Sequence, residues 1–490
     1  MAILRDFQMN LIGRKKEQRL LEKVMASEQA EFVAVYGRRR VGKTYTIQQC
    51  LSHAGVYFEC TGTKDGNLHD QLLNFIKSFE STFYPKLSLK TPKSWREAFE
   101  LLTLEIKKYP RQKIVLFFDE LPWLATRKSG LIQSLDYFWN TAWSKCPHVK
   151  LIVCGSAASW MLSHLINAKG GLYNRVTRPL LLEPFTLSET KDFLAQKKIK
   201  LTEKQILELY MVMGGIPFYL NQLDSTKSIA QNVNDLCFKK EGLLYGEFNR
   251  LFRSLFESAE LNQQIVKIIA QKHYGISFSE LSKKVGKHAG GRFKDRLYEL
   301  EAAGFIQRFL PFGRKKRDHY YQVIDEYSLF YLKWIADLVQ GKELPKGADY
   351  WARILKTPQW YPWAGYSFET ICYKHVDKII TALGLNGIGC FVSHWSYKGD
   401  PKQKEDGAQI DLILDRDDNA ISLCEIKYTT HPFVIDKTYA RNLLHKIDAF
   451  EKNLNQPKQL FLTLISASGL KKNAWSEDLI HHTVELKDLF

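Results

Sequence analysis

Two groups of residues in this chain have the types and spacing to do chemistry. The first is Gly37-Arg38-Arg39-Arg40-Val41-Gly42-Lys43-Thr44, which fits G-x-x-x-x-G-K-[ST] at every fixed position. Glycines at the two ends let successive backbone N–H groups curl around a phosphate, and Lys43 is placed to reach the β- and γ-phosphates. Thr44 opens a helix whose unpaired N–H groups and positive dipole end receive phosphate charge, and its hydroxyl is a ligand for Mg²⁺. Tyr45 follows inside the first helical turn. The apolar run Phe32-Val33-Ala34-Val35-Tyr36 supplies the strand that must precede such a loop.

Downstream, Lys113-Ile114-Val115-Leu116-Phe117-Phe118-Asp119-Glu120 reads as a buried strand ending in two carboxylates, the Walker B pattern. Side chains alternate along a strand, so the two acids take different roles. Asp119 is expected to hold Mg²⁺, and Glu120 to polarise an attacking water. Together the two motifs imply binding and hydrolysis of ATP with Mg²⁺.

The second group lies near the C-terminus. Gly407–Leu414 and Ile421–Tyr428 read as strands joined by the turn Asp415-Arg416-Asp417-Asp418-Asn419, a hairpin in which Asp411 and Glu425 are equidistant from residue 418. Lys427 follows Glu425 by two and shares its face, so two carboxylates and an ammonium converge. Such a cluster is costly unless a metal or a phosphate joins it.

Around these groups the chain alternates strands and helices: strands at Val56–Cys60 and Val149–Ser156, helices at Leu68–Phe79 and Trp95–Tyr109, which predicts a mainly parallel sheet. Residues 188 to about 240 turn helical, with Ser188-Glu189-Thr190 as cap. Residues 256–323 read as helix, helix, helix and hairpin. The polar stretch 341–347 reads as a linker. With 490 residues the chain exceeds one core, at about 150 residues per domain.

The first half resembles AAA+ and STAND-related ATPases of the archaeal type. The resemblance implies that Asn10–Glu17 covers the adenine, that Ser156 occupies a γ-phosphate sensor position, and that Arg175, with Arg178 second, is an arginine finger, which a neighbouring subunit can also supply. Met213-Gly214-Gly215-Ile216-Pro217 resembles the lid turn of the same group, without the arginine other AAA+ lids carry there. The helix–hairpin order of 256–340 is that of a winged helix, with Phe312–Arg317 as a basic wing and Arg292, Lys294 and Arg296 on the third helix; either it meets DNA or it packs on the lid. The C-terminal part resembles the PD-(D/E)xK nucleases, with Asp411 as first acid, Glu425-Ile426-Lys427 as E-x-K and Glu369 as the helix-borne acid; Ile410 replaces the usual proline. In that family the acids hold Mg²⁺ and the lysine serves the attacking water or the phosphorane.

The expected architecture is therefore α/β: a P-loop ATPase core at 1–187, a helical lid at 188–255, a winged helix at 256–340 and a restriction-endonuclease-like domain at 341–490. The expected function is ATP hydrolysis whose nucleotide state controls a DNA-directed nuclease-like domain; the alternative is a STAND-like switch with a C-terminal domain that only binds. A net charge of +17 favours a polyanion such as DNA. Lys437, Arg441 and Lys446 either neutralise its backbone or form a solvated helix face. Without an apolar stretch of roughly 18 residues or a leader-like start, no membrane is expected and the chain reads as cytoplasmic. Its eight cysteines show no zinc spacing and read as reduced core residues. A homo-oligomer or a regulatory protein partner is also expected.

Overall fold

The computed structural model describes residues 11–167, 172, 174–286, 292–314, 319–341, 350–399 and 406–490. Asn10, Tyr173, most of the basic wing (Lys315, Lys316, Arg317) and the linker beyond Gly341 lie outside the described residues. Two compact units emerge. One comprises the described chain up to Phe185 plus Ile216–Tyr219; the other comprises Thr186–Gly215 and the chain from Leu220 onward.

The first unit is built on five strands: β1 (Glu31–Tyr36), β2 (Val56–Thr61), β3 (Ile114–Asp119), β4 (Val149–Gly155) and β5 (Arg178–Leu181). They form one sheet in the order β2-β3-β4-β1-β5, and every pairing is parallel. Both faces are covered, as a parallel sheet requires. Phe32 and Ala34 of β1 enter a core with Leu116, Phe118 and the helices Leu68–Phe83 and Trp95–Ile106. The alternate residues Val33 and Val35 enter another, with Ile47 of α2 (Lys43–Leu51) and Leu21 and Val24 of α1 (Lys15–Ala26). The apolar positions of these helices recur every three or four residues, which is why each presents a single stripe to the sheet.

In the second unit the helical region begins at Leu187, and its cap is Thr186 rather than the Ser188 segment: the Thr186 hydroxyl accepts from Glu189 N while Glu189 closes a capping box. Next come Glu203–Met213, Ile229–Cys237 and Glu247–Leu255. The helix–helix–helix–hairpin order expected after residue 256 is present as Ala259–Ala270, Phe278–Val285, Phe293–Ala302, β7 (Ile306–Phe309) and β8 (Tyr320–Val323), with one addition: β6 (Ile276–Ser277) pairs with β8 into a three-stranded sheet.

The C-terminal sheet runs β13-β12-β11-β10-β9, from β9 (Cys390–Tyr397), β10 (Ala408–Arg416), β11 (Ala420–Lys427), β12 (Gln459–Ser466) and β13 (His482–Glu485). It is mixed: β9, β10 and β11 are antiparallel neighbours, whereas β12 and β13 join in parallel. The helix carrying Glu369 starts at Trp360, so Glu369 sits well inside it.

The β7–β8 hairpin packs on this sheet. Phe312 N donates to His394 O at 2.8 Å, and the Phe312 ring lies 5.2 Å from that of Phe450. Helices of 186–213 meet the same C-terminal part: Tyr428 donates to Glu208 at 2.8 Å, and Leu187 N donates to His375 Nε2 at 3.1 Å. The other His375 nitrogen faces Ile371 O, and burial lowers its pKa to about 4, so the ring is neutral and can accept.

Candidate functional sites

In the first unit, β1 hands the chain to a loop and then to α2. Gly37 has φ 139°, and a Cβ there would lie 2.3 Å from Leu182 O, so only glycine fits beside the passing backbone. Arg40 and Gly42 are also left-handed, at φ 73° and 90°. Lys43 is buried; its Nζ donates to the carbonyls of Gly37 and Arg38 at 3.1 and 3.0 Å, the loop it would otherwise close over phosphates. Burial lowers its pKa, opposed by Cys154, Glu120 and Asp119.

Thr44 Oγ1 donates to Asp119 Oδ2 at 2.8 Å. The hydroxyl and the carboxylate read from sequence as Mg²⁺ ligands, 75 residues apart, are thus adjacent. Burial raises the Asp119 pKa, and the Thr44 bond opposes that rise. Glu120 is left-handed at φ 46°, which turns its side chain off the strand direction toward β4. There its carboxylate accepts from Ser156 Oγ at 2.7 Å and Ser156 N at 3.2 Å. Ser156, expected to face the γ-phosphate, therefore holds the second acid.

The three loop arginines each lie over an aromatic ring. Arg40 is 4.4 Å from the Phe218 centroid, Arg38 6.0 Å from Tyr219, and Arg39 5.8 Å from Trp123. Tyr45 is half exposed. Arg175 is exposed, and Arg178 pairs with Glu31 at 3.8 Å. One residue that sequence reasoning passed over is Arg14: buried, it donates to Val41 O at 2.9 Å and Glu183 O at 2.5 Å and lies 4.7 Å from the Phe185 centroid, tying the segment before α1 to the loop. Nothing in the run Arg14-Lys15-Lys16 distinguishes it from its neighbours.

In the second unit, β10 and β11 pair with Leu412 opposite Cys424, so Asp411 and Glu425 occupy the next positions of the same register. Asp411 lies at an irregularity of the β9–β10 pairing between Ile410 and Ile413. Its Oδ2 accepts from Ile426 N at 2.9 Å, and its carbonyl accepts from His394 Nδ1 at 2.6 Å. Glu425 is buried and accepts from Lys427 at 2.7 Å, from Lys446 at 2.8 Å and from the Tyr439 hydroxyl at 2.5 Å. Lys446 is thus neither on a solvated face nor free for a nucleic-acid backbone.

Charge follows from these partners. Burial and then Asp411 raise the Glu369 pKa to about 8. Burial and then Glu425 raise Asp411 to about 6. Burial also pushes Glu425 up, but Lys427 and Lys446 outweigh it and hold the carboxyl below its usual range. Burial pulls Lys427 down, and Glu425 more than offsets it, so the ammonium is stabilised. The site therefore contains one firmly ionised carboxylate, neutralised by two ammoniums, beside two carboxyls that take up protons readily. Among the described residues no group of three or more His, Cys, Asp or Glu stands ready to enclose a metal ion. Tyr439 and Lys446 were not legible as site members, because their contact with Glu425 spans a β–α crossover.

Residues 11–223 match a family model described as an ATPase domain predominantly from Archaea. The chain is 26% identical over 425 residues to an uncharacterized protein of Methanocaldococcus jannaschii, MJECL04, covering 85% of this chain and 87% of that one. Among solved structures, the Walker-type ATPase PABY2304 of Pyrococcus abyssi aligns at 20% identity over 66% of this chain and 97% of its own, with a TM-score of 0.48. The ORC2 protein of Aeropyrum pernix aligns at 12% identity, over 68% and 96%, with a TM-score of 0.42. No helix of the described residues is long and apolar enough to cross a membrane. Residues 11–223 are thus similar to an ATPase domain of the archaeal type.

Proposed function

We propose that this chain is a Mg²⁺-dependent ATPase whose nucleotide state controls a DNA-directed, PD-(D/E)xK-like site near its C-terminus. The observation that carries the first half is the Thr44–Asp119 hydrogen bond at 2.8 Å beside the buried Lys43. Two hard oxygen donors and a fixed ammonium fit Mg²⁺ and a triphosphate. Thr44 and Asp119 would hold the ion, which when bound neutralises phosphate charge. Lys43 exchanges its loop carbonyls for phosphate oxygens. Glu120, oriented by Ser156, accepts the proton of the attacking water. Arg178 is occupied by Glu31, whereas the exposed Arg175 suits a finger acting in an assembly of this chain.

Support for the second half comes from Glu369, Asp411, Glu425 and Lys427, where burial and then the neighbouring carboxylate raise two of the acids. Carboxyls held above their usual range by burial and like charge are the groups a divalent cation relieves. The module at 256–340 reads as a winged helix whose hairpin leans on this domain.

The switch reading, in which the C-terminal domain only binds, is favoured by the two ammoniums and the phenol already around Glu425. One experiment separates the readings: cleavage of mixed plasmid and linear DNA with Mg²⁺ or Mn²⁺, with and without ATP, by the wild type and by Asp411→Ala. Cleavage lost in Asp411→Ala with ATP hydrolysis retained supports the nuclease reading. Absence of any wild-type cleavage, together with no calorimetric metal binding, leaves the switch. Localisation in the cytoplasm follows the same proposal.

A further inference from the structure

A cleft of about 510 Å³ in the second unit is bordered by the Ala259–Ala270 helix, the turn after it, the helical stretch 326–339 and the start of the Trp360–Lys374 helix, where Tyr366 lies one helical turn before Glu369. Its volume falls in the range of roughly 300–1,000 Å³ typical of small-ligand sites. Three rings line it. His273 lies 4.4 Å from Tyr366, centroid to centroid, and Trp363 is held by Trp334 at 6.0 Å and Trp360 at 5.1 Å. The Trp363 residue is 6% exposed, so it is a wall fixed before any ligand arrives. Among the described residues, Lys267 and Lys333 are the cations lining the same cleft and Asp337 its carboxylate. Burial and then Lys333 lower the His273 pKa, so near neutral pH this ring offers an uncharged face.

Fixed aromatic faces beside lysines match one ligand chemistry: a planar base joined to an anionic phosphate. We propose that this cleft is a second nucleotide site, distinct from the Gly37–Thr44 loop, in which the base lies on the exposed His273 ring, the nearly buried Trp363 and Tyr366 form the floor beneath it, and the phosphate meets Lys267 and Lys333. A free mononucleotide and an unstacked nucleotide of a single strand share that chemistry. The proposal does not rest on the metal-binding reading of Asp411 and Glu425.

The test uses the full chain carrying Lys43→Ala, so that the loop does not compete for nucleotide and no second nucleotide is present. Two probes are titrated by equilibrium dialysis: AMP, which lacks the phosphates the loop grips, and a short single-stranded oligodeoxyadenylate. The expected result is that at least one probe binds, and that Lys267→Glu combined with Lys333→Glu weakens it by about tenfold or more. The equal-charge control, Lys471→Glu with Lys472→Glu in the crossover after β12, should change it by less than about twofold. His273→Ala, at an exposed ring, is the second variant and should also weaken the probe. Binding of AMP identifies a free nucleotide as the source; binding of the oligonucleotide alone identifies a strand. If neither probe binds, or if the cleft variants weaken binding no more than the control, the proposal is overturned.

Discussion

Ser156 Oγ donates to the Glu120 carboxylate at 2.7 Å, and the Ser156 amide adds a second bond at 3.2 Å. The end of β4 thereby fixes the acid that leaves β3, while Thr44 holds the acid one residue earlier. On the proposed reading, positioning, binding and proton acceptance fall to different side chains and should separate on substitution. Lys43→Ala is expected to weaken ATP binding, because the phosphates lose a buried ammonium. Glu120→Gln should bind ATP normally and lose hydrolysis, and Ser156→Ala should retain binding and lower kcat by about tenfold to a hundredfold through misorientation of Glu120. Equal ATP affinity in the wild type and Lys43→Ala, measured by calorimetry, would sink the loop assignment.

The C-terminal acids predict a pH dependence. Glu369 rises from 4.5 to about 8 and Asp411 from 3.8 to about 6 on folding, so between those values the native state holds protons the unfolded chain has released. Their contribution to stability is complete below the unfolded values and is lost as pH rises through the folded ones. Thermal unfolding of the metal-free protein should therefore shift downward between about pH 5 and pH 8, and Glu369→Gln should flatten that slope. Mg²⁺ or Mn²⁺ should bind with release of protons, visible as a buffer-dependent calorimetric enthalpy. An identical slope in wild type and Glu369→Gln would remove these acids from the account.

Much of this was legible because it is local. A strand, a glycine loop and a helix start lie within one short stretch, and the parallel sheet follows from strand–helix alternation. The β10–β11 register was equally readable from a short turn. What was hidden is nonlocal or compositionally masked. Pro362 and Gly365 disguise the start of the helix that carries Glu369, β9 has only the short apolar run Cys390-Phe391-Val392 before polar and aromatic residues, and β12 and β13 join in parallel only through crossovers. Lys446 reaches Glu425 across 21 residues, and Arg14 grips two carbonyls that no periodicity marks.

The hairpin between β7 and β8 supplies a test of DNA contact. Phe312 is committed to the C-terminal sheet, and Arg314 after it is exposed. If Arg314, Lys315, Lys316 and Arg317 meet phosphates, replacing all four by alanine should lower the log–log salt slope of DNA binding by about 0.9 for each phosphate they neutralise. An unchanged slope would assign the hairpin a packing role alone.

Gly214 offers the sharpest test of coupling. It follows the Glu203–Met213 helix, whose Glu208 holds Tyr428, the neighbour of Lys427. Its φ of 60° with ψ of −171° is a conformation open almost solely to glycine, and a Cβ would lie 2.9 Å from Glu326 Oε2. Glu326 is buried and pairs with Lys374 at 2.7 Å, on the helix that also carries Glu369. Just beyond Gly214 the chain enters the first unit, where Phe218 and Tyr219 lie under Arg40 and Arg38. On the proposed reading, a shift of the phosphate loop that moves those arginines would reach the buried ion pair along this covalent segment. Gly214→Ala should destabilise the protein by about 1–3 kcal/mol. It should leave ATP binding within about twofold and abolish the effect of ATP on metal-dependent DNA cleavage. Glu326→Gln removes the charge without the backbone strain and should weaken the same response. If both variants retain the full ATP effect while Gly214→Ala shows the expected loss of stability, the segment is structural and the control of the C-terminal site runs by another route.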